Sequence, residues 1–377
     1  MWRRGEWIYA LLVFLALLLE GAALAYLGLV LTARAFGALP YGQALGALLL
    51  SVWLTALVLG GFGVYILLYH AYTEAKEGRE RALREAWLAR FTEALFGGPL
   101  PPPPWPRPAL EALLSLRETL KGEMAEQVTN WLRQARPPWE GLLRSRLASR
   151  PARLEAMDAL AQARFPEALP ALLPYLEHKD PVLRLAAARA AARLAAPEDA
   201  PLLGEALLRS GLPRGGLLEI LLLLEDRALP VLEAFLDRGG PRERWAALEA
   251  TGRLRRHDLV EKVLPFLAET DPELKAAALR ALWRLGHPPS GYEGEVLAAL
   301  FAPQEFLRVQ AVRVLPLLGN LAEKALWNRL GDPSFYVRRA AAEALKALNP
   351  DLLAEAARAH PDPYARAMAR QVLEEAA

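Results

Sequence analysis

The polar residues that most often carry out chemistry are scattered along this chain. Its histidines are isolated from one another, at His70, His178, His257, His287 and His360. No two of them have the spacing of metal ligands on one helix face, and there is no cysteine to act as a thiolate ligand or nucleophile. Phosphate-binding glycine loops and the Gly-x-Ser-x-Gly motif are also missing from the sequence. We therefore predict no catalytic residue, no metal and no cofactor, and a protein that is not an enzyme.

Glu20 is the one acidic residue within two long apolar stretches near the N-terminus. It falls about midway along the first stretch, and an ionised carboxylate is costly at the centre of a bilayer. One interpretation is a protonated carboxyl bonded to Ser51 or Thr55 of the second stretch, and the other is proton transfer. We favour a role of these three residues in assembly, within the pair of stretches or with another membrane protein.

The two apolar stretches, about residues 7–32 and 44–69, each exceed the roughly 20 residues that cross a bilayer. We expect a transmembrane hairpin within residues 1–70. A signal peptide cleaved near Ala33-Arg34-Ala35 is the alternative for the first stretch. Basic residues flank the outer ends of both stretches, and only Arg34 lies between them. The positive-inside rule therefore predicts a multi-pass protein of the inner (cytoplasmic) membrane with both termini in the cytoplasm.

Three further segments precede the repetitive part of the sequence. Residues 71–96 have the charge and spacing of a juxtamembrane helix, which extends the second span or lies along the membrane surface. Residues 97–108 are rich in proline and predict a stiff spacer, with a ligand for a proline-binding groove as the alternative. Residues 109–150 are predicted to form capping helices for the array that follows.

The rest of the chain, residues 151–377, repeats itself with a period of about thirty residues. In most units a basic residue is followed three positions later by alanine and seven positions later by a second apolar residue. This spacing places both apolar residues on one helical face. The basic residues are Arg153, Arg184, Arg214, Arg244, Lys275, Arg308, Arg338 and Arg366. A fixed period of this length indicates about eight stacked helical units rather than one closed globule.

Several units also carry an Asp-Pro turn before the basic residue, as in Asp180-Pro181 and Asp332-Pro333. With these turns the repeat resembles the HEAT family, in the short form found in bilin lyases. The resemblance implies a HEAT-type α-solenoid for the repeats. Together with the apolar stretches it predicts an all-α fold, a two-helix transmembrane hairpin followed by a cytoplasmic HEAT-type α-solenoid. It also implies a hydrogen-bonded ladder between turn aspartates and second-helix arginines of adjacent units. The matching positions are Asp180, Arg184, Asp271, Asp332, Arg338, Asp362 and Arg366.

A column of basic residues on the second helices is the candidate binding surface for a partner. Its members stand either five or nine positions after the basic residue of their unit, and one of them is a leucine that interrupts the basic residues. They are Arg189, Arg193, Leu223, Arg253, Arg280 and Arg284. The alternative is an ordinary solvated face. The apolar run 217–224 is predicted to form either the dry middle of the array or an exposed groove.

Scaffolding is the function that this organisation favours, because repeat arrays present long surfaces to their partners. We expect a protein partner, cytoplasmic or in the membrane, beside a lipid bilayer. The formal net charge of +2 argues against a nucleic acid. The layout is similar to accessory proteins of envelope polysaccharide export systems, and an enzyme-like role related to bilin-lyase proteins is the alternative. The excess of arginine over lysine and the absence of cysteine are typical of a thermophilic bacterium, with a high genomic GC content as the alternative explanation.

Overall fold

The regular elements of the described chain are helices. The computed structural model describes residues 4–35, 37 and 40–375. The chain divides into two compact units, Met1–Pro137 and Pro138–Ala377.

Two long helices, α1 (Arg4–Ala35) and α2 (Tyr41–Leu95), pack against each other in the first unit. Ala23 and Val30 of α1 are buried, whereas many large apolar side chains of both helices are exposed. Trp53 and Leu57 of α2, for example, are 73% and 74% exposed. Each helix therefore presents an apolar surface that the other helix does not cover. α2 continues unbroken into the charged residues 71–95, so the predicted juxtamembrane helix is an extension of the second apolar stretch.

One helix passes the test of length and hydropathy for a membrane span in the part of the chain whose side chains are described. It is Leu49–Leu95, within α2, where an 18-residue window has a mean hydropathy of 2.0. Gly21–Ala35 of α1 is a shorter apolar stretch. The predicted hairpin of two spans therefore stays a prediction. The side chain of Glu20 lies outside the described residues, while Ser51 is buried and Thr55 is half-buried.

Residues 97–108 return to α2 instead of forming the predicted stiff, extended spacer. The Trp105 ring lies edge-on against Phe91 of α2, with centroids 5.1 Å apart, and both side chains are buried. The Trp105 indole N–H donates to the Pro101 carbonyl oxygen at 3.0 Å. The burial of the two aromatic rings stabilises the packed conformation of this segment relative to an extended one, in which both rings would be exposed to solvent. The role of these residues as a spacer stays a prediction.

The segment predicted to cap the array is divided between the two units. Helices α3 (Arg107–Thr119) and α4 (Gly122–Ala135) belong to the first unit, where α3 packs on α2 and Trp131 of α4 lies beside Phe91. Helix α5 (Trp139–Arg144) belongs to the second unit and packs on the helix that follows it. The boundary between the two units thus falls within the predicted cap, residues 109–150, and capping of the array stays a prediction.

The second unit is a series of helix pairs. The first helices are α5, α7 (Leu169–Leu172), α9 (Ala200–Arg209), α11 (Leu229–Arg238), α13 (Val260–Val263), α15 (Glu293–Ala299), α17 (Ala322–Arg329) and α19 (Pro350–Ala359). The second helices are α6 (Arg150–Ala163), α8 (Pro181–Leu194), α10 (Arg214–Leu224), α12 (Pro241–Arg253), α14 (Pro272–Leu285), α16 (Glu305–Val314), α18 (Phe335–Leu348) and α20 (Pro363–Glu374). Proline shortens two first helices, since Pro174 and Pro265 lie in 3₁₀ turns that flank α7 and α13.

Successive second helices pack against one another in chain order and form one continuous layer. The alanines three positions after the basic residue are fully buried in this layer, as at Ala187, Ala247 and Ala341. A Cβ atom on Gly252 of α12 would lie 2.8 Å from the Cα of Ala281 of α14, so glycine permits the close approach of these helices. Helical pairs stacked in this way are the repeat solenoid that the thirty-residue period predicts.

The apolar run 217–224 lies within α10 and faces mainly inward. Its buried members are Leu217, Leu218, Ile220, Leu221 and Leu224. Leu223 is half-buried rather than exposed. The run therefore forms part of the buried core in the middle of the array rather than an exposed apolar groove.

Candidate functional site

The exposed edge of the second-helix layer carries charged side chains from several consecutive units. Of the residues predicted to bind a partner, Arg189, Arg193 and Arg253 are exposed. Arg280, Arg284 and Leu223 are half-buried. The structure thus brings the predicted column onto one layer, with different exposure along it.

Three of these arginines converge on one buried carboxylate, that of Glu249 on α12. The Arg284 guanidinium donates to Glu249 Oε2 at 2.8 Å, and Arg280 Nε donates to Glu249 Oε1. Arg253, four residues along the same helix, lies 3.8 Å from Oε2. The Glu249 side chain is only 3% exposed. The column is therefore anchored by an internal negative charge.

The arginines around Glu249 lower the pKa of its carboxyl group. Burial alone would raise the pKa, because it removes water from the charged form. The hydrogen bonds and positive charges of Arg284 and Arg280 outweigh burial, so the pKa lies below its ordinary value. Glu249 is accordingly ionised throughout the physiological range.

The other two arginines of the column are also paired. Arg189 donates to both carboxylate oxygens of Glu219 on the next second helix, at 2.6 and 2.8 Å. Arg193 Nη1 lies 4.0 Å from Asp158 of the preceding second helix. The predicted basic stripe is therefore a ladder of ion pairs, in which the five arginines of the column share three carboxylates. Sequence reasoning had a signal for it, since Glu219 and Glu249 occupy the same repeat position as Arg189 and Arg280.

Two of the turn aspartates, Asp180 and Asp332, form ion pairs with arginines on the second helix of the preceding unit. Arg150 Nε lies 2.7 Å from Asp180, and Arg308 donates to both oxygens of Asp332 at 3.0 and 3.1 Å. The Asp332 side chain is 1% exposed. Burial opposes a lower pKa at Asp180, but the Val182 N–H and the charge of Arg150 outweigh it and hold the pKa below its ordinary value.

The arginines named for the ladder bind the backbone of the turn in their own unit. Arg338 donates to the carbonyl oxygens of Asp332 and Pro333 at 2.8 and 2.9 Å. Arg366 donates to those of His360 and Pro361 at 2.6 and 3.0 Å. These arginines hold a turn rather than a neighbouring aspartate.

Two aspartates of the predicted ladder act as helix caps. Asp271 accepts from the Glu273 N–H at 2.8 Å, and Asp362 accepts from the Tyr364 N–H at 2.7 Å. Among the described residues Arg184 Nε, which is buried, has no hydrogen-bond partner. The ladder of the family resemblance is therefore present in part, at Asp180 and Asp332.

A row of exposed aromatic side chains, which sequence reasoning missed, lies at the N-terminal ends of three consecutive second helices. We call it the aromatic row: Phe306 of α16, Phe335 and Tyr336 of α18, and Tyr364 of α20. Phe306, Tyr336 and Tyr364 each stand two positions before the basic residue of their unit. The register of the repeat was the signal that would have revealed them.

Part of the helical array is similar in sequence to a known repeat family. Residues 141–215 match the family of HEAT repeats. This agrees with the Asp-capped turns and paired helices of that part of the chain. No curated protein matches the chain.

Several solved structures resemble the arrangement of helices. An engineered protein, 17% identical, covers 80% of this chain and 95% of its own length, with a TM-score of 0.37. The archaeal HEAT-like repeats protein of Thermococcus onnurineus is 15% identical over 63% of this chain and 94% of its own, with a TM-score of 0.32. The CpcE–CpcF complex of phycocyanin lyase from Nostoc is 20% identical over 74% of this chain and 98% of its own, with a TM-score of 0.24.

Proposed function

We propose that the protein is a membrane-anchored scaffold that holds a protein partner at the cytoplasmic face of the inner membrane. Its N-terminal helix pair is the anchor, and its array of helix pairs is the surface that the partner contacts. Both termini lie in the cytoplasm.

The observation that carries this proposal is the continuity of α2. Its first half exposes large apolar side chains such as Trp53 and Leu57, and a surface of this kind is stable in lipid rather than in water. Its second half is charged and supports the folded helices α3 and α4. One continuous helix thus joins an apolar segment of membrane-spanning length to a charged segment that packs against α3.

The array supports the second part of the proposal. Its second-helix layer offers a long surface in which charges are already paired and aromatic side chains are exposed. Exposed aromatic residues and arginines are enriched at protein–protein contacts. HEAT and armadillo repeats generally mediate such contacts, and residues 141–215 match the former.

Reporter fusions test the proposed topology. A reporter active only in the cytoplasm should be active when fused after Arg90 and inactive when inserted at Gly37, because basic residues flank the outer ends of the hairpin. A reporter active only in the periplasm should give the reverse pattern. Activity of the periplasmic reporter after Arg90 would contradict the orientation and the cytoplasmic location of the array.

A further inference from the structure

An exposed tryptophan stands among four arginines where helices α12, α14 and α16 pack side by side. We call this cluster the Trp283 patch: Arg253, Arg280, Trp283, Arg284 and Arg313. Trp283 of α14 is 45% exposed, and the Arg313 guanidinium of α16 lies 5.5 Å from the centre of its ring. Towards α12, Arg280 and Arg284 reach the Glu249 carboxylate. The patch therefore spans three consecutive second helices.

The positive charge of the patch exceeds that of the carboxylate within it. Among the described residues, Glu249 is the one carboxylate that pairs with Arg253, Arg280 and Arg284. Arg313 contacts the Trp283 ring and forms no ion pair in that part of the chain. Four guanidinium groups against one carboxylate leave an excess of three positive charges.

Acidic residues around the patch do not remove this excess. Glu219 of α10 and Glu343 of α18 lie on the flanking second helices, and each is paired with an arginine outside the patch. Glu225 and Asp226 follow α10, and α12 lies between α10 and α14. The excess of positive charge is therefore local to α12, α14 and α16.

Glu249 holds two of the arginines in place without occupying all of their donors. A guanidinium group has five N–H donors, and Arg280 and Arg284 each use one of them on Glu249. Their side chains remain 19% and 27% exposed. Gly252 leaves room for this arrangement, since a Cβ atom there would lie 3.3 Å from the Cδ atom of Arg284. The two arginines thus keep N–H groups for a second carboxylate in positions that are fixed before it binds.

Trp283 adds an apolar contact to these charges. Tryptophan and arginine are enriched among the residues that contribute most to protein–protein binding, and such residues lie near the centre of a contact. A complementary ligand carries carboxylates around one apolar side chain. The formal net charge of the whole chain, +2, favours a protein over a nucleic acid as the source of these negative charges.

We propose that the Trp283 patch binds an acidic segment of a partner protein, in which carboxylates flank one apolar side chain. The apolar side chain lies against the ring of Trp283, and the carboxylates accept hydrogen bonds from the arginines of the patch. This inference rests on the proposed scaffold function and names the chemistry of its partner.

Binding of short peptides to the full chain in micelles of an uncharged detergent tests the proposal. The probe is a nine-residue peptide with leucine at its centre and glutamate at every other position. It should bind saturably, and more weakly as the salt concentration rises. A peptide with lysine in place of glutamate should bind at least about tenfold more weakly because its charge is reversed. A peptide with glycine in place of leucine should also bind more weakly, because it lacks the apolar contact.

Substitutions within the patch locate the binding surface. Arg253→Gln with Arg313→Gln should weaken binding of the glutamate peptide at least about tenfold, because two of the four positive charges are lost. The hydrogen bonds of Arg280 and Arg284 to the buried carboxylate remain in this variant. Trp283→Ala should weaken binding by about the same factor, because the apolar anchor is lost.

The matched control is Arg189→Gln with Arg193→Gln on α8. These arginines stand five and nine positions after the basic residue of their unit, as Arg313 and Arg253 do. Each of them already has a carboxylate of its own. Two helices, each adding roughly 8–10 Å, separate α8 from α14, which exceeds the Debye length of about 8 Å at physiological salt. The control should therefore leave binding unchanged, and circular dichroism establishes that all variants retain their helices.

Three outcomes would overturn the proposal: no saturable binding of the glutamate peptide, equal binding of the lysine peptide, or an equal loss of binding with the α8 control. Tighter binding of a single-stranded oligothymidylate, or of phosphatidylglycerol added to the micelles, would also overturn it if the same substitutions abolish that binding. Each of these results leaves membrane attachment of the chain, which is measured separately, unaffected. Failure of this inference is thus distinguishable from failure of the scaffold proposal.

Discussion

Replacing Glu249 by alanine should lower the free energy of unfolding of the array by about 3–5 kcal/mol. The substitution removes a carboxylate that is 3% exposed and leaves Arg280 and Arg284 half-buried without their partner. An arginine left without its carboxylate in a partly buried site destabilises the fold by more than the intact ion pair stabilises it. Urea denaturation followed by circular dichroism measures the change.

Glu219→Ala is the matched control for this prediction. Glu219 occupies the same repeat position as Glu249 and pairs with Arg189, but both side chains of that pair are more than 40% exposed. Exposed pairs contribute about 0–1 kcal/mol. Equal losses from the two substitutions would mean that Glu249 is not the buried anchor of the ladder.

The pH dependence of unfolding provides a second readout of Glu249. Its pKa is lower in the folded chain than in the unfolded chain, so its contribution is fully present above the ordinary glutamate pKa of about 4.3. The contribution is lost as pH falls through the lower, folded value. The difference in stability between the wild type and Glu249→Gln should therefore narrow below about pH 4.3 and stay constant above it.

Asp332→Ala should destabilise the C-terminal units by about 3 kcal/mol. Asp332 is almost fully buried, accepts two hydrogen bonds from Arg308 and one from the Ser334 N–H, and lies 3.5 Å from Arg329. Its loss leaves two guanidinium groups and a helix terminus without their partner. Hydrogen exchange of α16 and α18 should detect the local opening.

The control for Asp332 is Asp180, the turn aspartate of an earlier unit. It pairs with Arg150 and caps α8, but its side chain is 23% exposed. Asp180→Ala should therefore cost only about 1 kcal/mol, mainly from the lost cap. A larger effect at Asp180 than at Asp332 would contradict the burial-based explanation of the ladder.

The repeat architecture was predictable because it depends on spacing along the chain. In most units, alanine three positions after the basic residue fixes the helix face, and in four units an Asp-Pro turn before that residue marks the start of the second helix. The apolar stretches near the N-terminus could be predicted for a similar reason, because the mean hydropathy of a window is calculated from the sequence without knowing which residues are in contact.

The pairing of charges was not predictable from one helix at a time. Whether Arg280 is free or bound to Glu249 depends on the offset between α12 and α14, which Gly252 and Ala281 set by their close approach. The return of Trp105 onto Phe91 is likewise a tertiary contact that overrides the extended tendency of the prolines around it. Both the pairing of Arg280 with Glu249 and the packing of Trp105 on Phe91 depend on contacts between residues far apart in the sequence.

Alkaline carbonate extraction of native membranes tests the central claim, that the N-terminal helix pair anchors the array to a membrane. The full chain should remain in the membrane pellet, because its apolar helices are stabilised by lipid rather than by surface charge. A variant that begins at residue 71 should be released into the soluble fraction with its helices intact. Extraction of the full chain by carbonate, or retention of the shortened variant in the pellet, would contradict the anchored scaffold.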